Sequence, residues 1–133
     1  VVKDTDIEIA AEQSANFDGT TAFSTIENIL QANPDINLVY AENDEMCLGV
    51  AKALESANRT DVMVVGFDGA QETLEAIKDG KVTGTVFQQF TLIGKTSVDI
   101  ADKVFKGDTA DIENPMAIDC DFANADNIDQ FLN

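Results

Sequence analysis

The chain has 133 residues, of which 25 are acidic and 8 are basic, and it contains no histidine, so its formal net charge is −17. This length suits one domain, and 44% apolar residues are enough for a folded core. The charge excludes most nucleic-acid partners and anionic membrane surfaces, because both recruit Lys and Arg. The lack of histidine excludes a His-based catalytic triad, a His general base and most zinc sites. We expect no metal and no cofactor.

The cysteines and the longest apolar runs bear on the redox compartment and on membrane insertion. Cys47 and Cys120 lie far apart in the sequence and form no CxxC pair, so we expect both to be unpaired and to behave as small apolar residues. No run approaches the ~20 apolar residues that a membrane-spanning helix needs. The redox compartment therefore stays open at this point.

Strand and helix patterns alternate along the chain. In order, they predict a strand over 7–13, a helix over 19–32, a strand over 36–41, a helix over 45–57, a strand over 62–67, a helix over 70–78, a strand over 81–88, a helix over 91–106 and an extended piece over 115–120. Pro34 ends the first helix, and Gly80 and Gly107 end the last two. Asn43 or Asp44 is expected to cap the second helix.

This alternation with short connections predicts an α/β fold. Right-handed crossovers give an open parallel sheet with helices on both faces, in the Rossmann-like manner. The chain carries no basic residue after Lys106, and the acidic tail within 108–133 is expected to be a solvated surface.

Polar or aromatic residues follow four of the predicted strands. Because ligands of open α/β sheets bind beyond the carboxyl ends of the strands, Phe17, Asn43, Asp68 and Gln88 become candidate ligand-binding residues. An aromatic face, two amides and a carboxylate suit the C–H face and the hydroxyls of a neutral polyol. Each residue also has an ordinary structural role open to it: Phe17 in the core, Asn43 as a helix cap, Asp68 with Gly69 in a turn, and Gln88 at a surface strand end.

Enzymatic readings of the same segments lack their reactive groups. NFDGT (16–20) is similar to a phosphatase nucleophile loop, but Asn16 stands at the nucleophile position. A receiver domain needs a lysine after a late strand, where this chain has Gln88 and Gln89. Neither GxGxxG nor GxxxxGK[ST] occurs, so we expect no enzymatic activity.

Several segments resemble one protein family. These are residues 14–54 (SANFDGTT to AKAL), DVMVVGFDG (61–69), KVTGTVFQQF (81–90) and LIGKTSVDIADKVFKG (92–107). They resemble the periplasmic monosaccharide-binding proteins of the ribose-binding type, which feed ABC importers. The resemblance implies a two-lobed protein in which Phe17 packs on the sugar ring while Asn43, Asp68 and Gln88 bind its hydroxyls. It also implies a membrane permease as partner and a periplasmic or extracellular location, with a lipid anchor in a Gram-positive cell.

The resemblance divides the chain into three parts. Residues 1–133 would form a single C-terminal sugar-binding lobe that is incomplete, with its core over 7–90, a helix over 91–107 that packs on the other lobe, and a C-terminal strand and acidic tail over 108–133. Without that lobe, the apolar face of the helix would cover the chain's own sheet, meet a second copy of the chain in a homo-oligomer, or stay bare. An arginine that the family contributes from earlier elements has no counterpart here. Sugar binding by this chain alone is therefore expected to be weak.

Two other functions use the same fold. The effector-binding core of a lactose-repressor-type regulator has similar segments, but it more often carries an acid where Gly69 stands and needs a basic DNA-binding headpiece. A sugar-sensing receptor ectodomain would use the same residues. Ribose-like monosaccharide binding for import is the interpretation that the charge and Gly69 favour.

Overall fold

The computed structural model describes residues 4–113 and 115–132. The elements in chain order are α1 (Gly19–Ala32), β1 (Leu38–Tyr40), α2 (Asp44–Ser56), β2 (Met63–Asp68), α3 (Gln71–Lys78), β3 (Gly84–Phe87), α4 (Phe90–Lys106), β4 (Asp121–Asn124) and a short 3-10 helix (Ile128–Gln130). The predicted helices are confirmed, and α1 has the expected bounds.

The four strands form one sheet in the order β1-β2-β3-β4. The first three strands are parallel, as expected, and they place Val65 beside Gly84 in the ladder between β2 and β3. The α/β class is therefore confirmed. The sheet is mixed rather than wholly parallel, because β4 runs antiparallel to β3 and pairs Asp121 with Phe87.

The helices that pack on this sheet lie on one of its faces. Val64, Gly66 and Thr85 point toward α2, and Ala123 of β4 shares their face beside α3. The cause is topological: β1, β2 and β3 step across the sheet in one direction, and right-handed crossovers then put α2 and α3 on the same side. The opposite face carries four exposed apolar side chains, namely Leu38, Tyr40, Met63 and Phe122.

The core lies between that covered face and the helices. α1 does not reach the strands as closely as α2 does; it packs on α2 instead, with Ala22, Ile26 and Leu30 buried. The two helices approach so closely that a Cβ added at Gly49 would lie 2.1 Å from the Gly19 carbonyl oxygen. This contact fixes the start of α1 against the first turns of α2.

The strand predicted over 7–13 is wrong. These residues are exposed and have no regular secondary structure, and the Ile7 N–H donates to the hydroxyl of nearby Thr5 rather than to a neighbouring strand. The alternating pattern of a strand becomes a strand only where a neighbouring strand supplies ladder partners. β1 pairs with β2 alone, and no described strand takes 7–13 as its partner.

The C-terminal strand expected within 108–133 is β4, which begins at Asp121, directly after the extended piece predicted over 115–120. The prediction that the acidic tail is a solvated surface is wrong. The tail is not simply solvated, because Ala123 and Ile128 are buried and the Phe131 ring lies 4.9 Å from that of Phe87. The apolar residues spaced along this otherwise acidic segment determine its packing, because they complete the edge of the core beside β3 and α3.

α4 differs from the other helices because none of its residues is buried. Its apolar side chains Val98, Val104 and Phe105 are exposed, Phe105 to 90%. Gly107 closes the helix in the left-handed conformation, as predicted. No helix in the described ranges is long and apolar enough to cross a membrane.

Both cysteines are free thiols, as expected. Cys47 lies in α2 and is fully buried against Gly66, which fits the behaviour of a small apolar residue. Cys120 is exposed, so that part of the expectation is wrong for it.

Candidate functional site

The carboxyl edge of the sheet brings two of the four candidate residues into contact. Asp68 ends β2, and Gln88 follows β3 directly. The Gln88 side-chain Nε2 donates to Asp68 Oδ1 at 2.8 Å, and the Gln88 backbone N–H donates to the Asp68 carbonyl at 2.9 Å. The pair therefore forms one polar unit across neighbouring strands, as the strand-end rule predicts.

Asp68 reaches this position through an unusual backbone. Its φ is +132°, which L-residues rarely adopt, and Gly69 follows at +86°. A Cβ at Gly69 would lie 2.3 Å from the Phe87 ring, so only glycine fits there. Such a turn persists only where surrounding bonds hold it, and strain of this kind is common at ligand sites.

Asn43, one of the two residues predicted to cap α2, is its N-cap. Its Oδ1 accepts from the Met46 backbone N–H at 2.8 Å. The cap occupies the amide oxygen and leaves Nδ2 with no hydrogen bond among the described residues. Asn43 can therefore cap the helix and still offer a donor to a ligand.

Phe17 lies at the turn before α1 and is not a core residue. Its side chain is 67% exposed, and both Asn16 and Phe17 have left-handed backbones with φ near +55°, at 54° and 57°. Asp18 then caps α1 by accepting from the Thr21 N–H at 2.6 Å and from the Thr21 hydroxyl, which together lower the pKa of Asp18. The Gly19 N–H donates to Glu45 Oε1 at 3.5 Å, which joins this turn to the first turn of α2.

One residue that the sequence did not single out as part of the site lies at its centre. Asp44 is 1% exposed, and its Oδ2 accepts from the Gly69 and Ala70 N–H groups at 2.8 and 2.6 Å. Its Oδ1 accepts from the Thr85 hydroxyl at 2.6 Å. Desolvation by burial raises the pKa of Asp44, and these three hydrogen bonds oppose that rise.

A sequence signal for this carboxylate exists in β2. Gly66 interrupts the apolar run from Met63 to Phe67, and a glycine inside a strand often marks a close approach by another group. The approaching group is Asp44, since a Cβ at Gly66 would lie 2.4 Å from its Oδ1.

Two open hollows lie elsewhere on the surface. One, of about 480 Å³, lies between α4 and the segment 111–119. The other, of about 430 Å³, lies between α1 and α2 beside Glu45 and Lys52. None of the four candidate residues lines either hollow. Within the described residues, no cluster of three or more His, Cys, Asp or Glu side chains could hold a metal ion.

Comparison with known proteins assigns the fold to a family. The model of the periplasmic binding protein domain matches residues 1–109. The chain belongs to this family. The ribose import binding protein RbsB of Salmonella typhimurium is 44% identical over 108 residues, which cover 81% of this chain and 36% of that protein.

Two further relatives also match most of this chain but less than half of their own length. The D-apiose import binding protein of Paraburkholderia graminis is 38% identical over 128 residues, covering 94% of this chain and 41% of that protein. A crystal structure of an ABC transporter periplasmic solute-binding protein from Actinobacillus succinogenes, with bound D-allose, superposes with a TM-score of 0.87 at 32% identity, covering 94% of this chain and 44% of that one. The chain thus spans less than half the length of these relatives.

Proposed function

We propose that this chain supplies one wall of a monosaccharide-binding site in the solute-binding component of an ABC importer. The observation that carries the proposal is the Asp68–Gln88 pair at the carboxyl edge of a periplasmic-binding-protein sheet. The named ligands of the relatives, which are ribose, D-apiose and D-allose, support a monosaccharide as the ligand class. Binding without chemical conversion is the proposed activity.

The unused polar atoms at this edge favour a polyhydroxylated ligand. Asp68 Oδ2 and Gln88 Oε1 accept no hydrogen bond from a described residue, so they can accept from two neighbouring ligand hydroxyls. Asn43 Nδ2 can donate to a third ligand oxygen, because capping occupies only its Oδ1. A sugar hydroxyl donates and accepts at once, and a set with both acceptors and a donor therefore matches it.

Phe17 supplies the apolar part of the proposed site. Its exposed ring lies at the turn before α1. The hydrogen bond between Gly19 and Glu45 joins this turn to the first turn of α2, which directly follows Asn43 in the chain. The C–H face of a sugar ring buries well against such an aromatic face. We therefore assign Phe17 to stacking and Asn43, Asp68 and Gln88 to hydrogen bonding.

The proposed protein context follows from the relatives and from α4. Import binding proteins deliver their ligand to a membrane permease, and this supports a location of the chain in the periplasm or at the outer cell surface. The bare apolar face of α4 supports the prediction that residues 91–107 pack on a second lobe. A site with one wall buries less of its ligand than a closed cleft, so millimolar affinity is expected for this chain alone.

Thermal unfolding in the presence of D-ribose, D-allose or D-apiose at tens of millimolar tests the proposal. At twenty times the dissociation constant, binding adds about 1.8 kcal/mol of stability, which shifts the midpoint by several degrees. Asp68→Ala should abolish this shift. Asp35→Ala, at an exposed position near the amino ends of the strands, is the matched control and should keep it.

Two results would contradict the proposal. The first is a midpoint that no sugar shifts at concentrations up to 50 times a millimolar dissociation constant, for which linkage predicts about 2.3 kcal/mol. The second is an equal shift in the Asp68→Ala and Asp35→Ala variants, which would place binding away from the carboxyl edge.

A further inference from the structure

Three elements that carry candidate site residues meet at one buried carboxylate. Asp44 is the first residue of α2, yet its side chain bonds to the turn after β2 and to the middle of β3. It reaches both over Gly66, where any side chain would collide with Asp44 Oδ1. Asp44 therefore ties α2, β2 and β3 together on the covered face of the sheet.

Each of its bonds ends close to a candidate residue. Asn43 directly precedes Asp44, and Asp68 directly precedes Gly69, whose N–H donates to Asp44 Oδ2. On β3, the Thr85 hydroxyl donates to Asp44 Oδ1, three residues before Gln88. One carboxylate thus follows Asn43 in the chain, bonds to the backbone after Asp68, and bonds to a side chain three residues before Gln88.

The turn at Asp68 is the part that most needs such support. Its φ of +132° is unfavourable for an aspartate, and the N-cap of α3, Ala70, has no side-chain cap of its own. Asp44 Oδ2 accepts from both N–H groups that follow Asp68, which holds that turn in place. Preorganised polar groups bind better, because the ligand does not have to order them.

We propose that Asp44 is a positioning residue that sets the Asp68–Gln88 pair and Asn43 for ligand binding without touching the ligand. The ligand readout rests on the proposed sugar site, whereas the geometric readout does not. A purely structural role would instead lower the global stability and leave the Asp68–Gln88 contact as it is.

The geometric test compares amide hydrogen exchange by NMR in four variants of the chain. Asp44→Ala removes the side-chain acceptor of the Gly69 and Ala70 N–H groups and should accelerate their exchange by about tenfold or more. It should also release the Gln88 side-chain amide from Asp68. Ile77→Val is the matched control, because it weakens the core beside α3 without touching Asp44.

Two conservative variants keep the test decisive if Asp44→Ala does not fold. In Asp44→Asn the amide oxygen can still accept from Gly69 and Ala70, while its NH₂ group donates to the Thr85 hydroxyl. Exchange at both amides should then stay within about threefold of wild type. Thr85→Val should disturb the Gln88 side chain and leave the Gly69 and Ala70 amides protected.

The functional test is a titration with D-ribose, followed through the side-chain amides of Asn43 and Gln88. Asp44→Ala should weaken binding by about tenfold, the cost of ordering two loosened side chains, and Asp44→Asn should restore it. If wild type itself shows no response to ribose, allose or apiose, the proposed function fails, and the exchange data still decide the positioning role.

Unchanged exchange at Gly69 and Ala70 in Asp44→Ala, relative to Ile77→Val, would overturn the inference. So would a Gln88 side-chain amide that keeps its wild-type resonance in both Asp44→Ala and Thr85→Val. Failure of Asp44→Asn to restore ribose binding while it preserves both amides would assign the carboxylate a role other than positioning.

Discussion

Replacing Gly49 with alanine should force α1 and α2 apart. The added Cβ would lie 2.1 Å from the Gly19 carbonyl oxygen and 3.1 Å from the Gly19 Cα. Both atoms belong to the backbone, so no side-chain rotation can relieve the collision. The helices must therefore separate by roughly 1 Å or more before ordinary van der Waals distances return.

The expected loss of stability is the balance of two opposing effects. Alanine in a helix interior is favoured over glycine by about 1 kcal/mol. Forcing an extra methyl group into a packed interface costs typically 1–3 kcal/mol, and the rigid backbone contact argues for the upper end of that range or beyond. The net loss is then about 2 kcal/mol, or roughly 6–10 °C in unfolding midpoint for a domain of this size.

Urea unfolding followed by circular dichroism measures this loss, and the chain offers a matched control. Gly94 also lies inside a helix, α4, but no heavy atom lies within 4 Å of a Cβ added there. Gly94→Ala should therefore leave the midpoint unchanged or raise it, with more helical signal. If Gly49→Ala unfolds at the same urea concentration as Gly94→Ala, the close approach of α1 and α2 is not part of the fold.

Two further outcomes concern titratable groups. Burial raises the pKa of Asp44 above its ordinary value of 3.8. The protonated carboxyl group therefore contributes its full stabilisation of the folded state below about pH 3.8, and this contribution is lost as the pH rises through the folded-state pKa. The free energy of unfolding of Asp44→Asn should therefore rise relative to that of wild type between pH 3.5 and 7. Urea unfolding that gives the same difference between the two proteins at every pH would contradict this. Burial also raises the pKa of the Cys47 thiol to about 12. Mass spectrometry should find iodoacetamide on Cys120 alone in the folded chain and on both cysteines in urea; labelling of Cys47 in the folded state would refute it.

The helices could be predicted from local signals alone. Asp18 caps the start of α1 and Pro34 follows its end, so residues next to the helix determine both of its bounds. The same holds for α2, whose cap is Asn43. A helix satisfies its own backbone, and its sequence pattern is therefore sufficient information.

The strands depend on partners that the local pattern does not name. Residues 7–13 have an apolar pattern and form no strand, while Asp121–Asn124 has a weaker pattern and forms β4. The difference is the available edge: β3 offers its ladder to β4, and no described strand pairs with 7–13. Strand prediction failed where non-local pairing decided the outcome.

The candidate site divides in the same way. The contact between Asp68 and Gln88 follows from strand order and could be anticipated from sequence. The left-handed backbone at Phe17 could not, because nothing in the residue type favours it. For Asp44 the sequence predicts only a possible capping role, because its hydrogen-bond partners lie 25 to 41 residues away in the chain.

The pairing of β3 with β4 has a consequence for protein engineering. The two strands are antiparallel neighbours, Phe87 beside Asp121, yet the chain leaves the sheet over 88–120 before it returns. Topologically they are a hairpin with a long insertion, and none of the insertion's residues that the structure describes belongs to the buried core. Closing a turn of about five residues instead of about 30 saves roughly 1.6 kcal/mol of chain entropy. A shortened chain that keeps Gln88 and reaches β4 through a turn of about five residues should therefore retain the sheet, and its carboxyl edge would become a small scaffold for redesigned ligand sites.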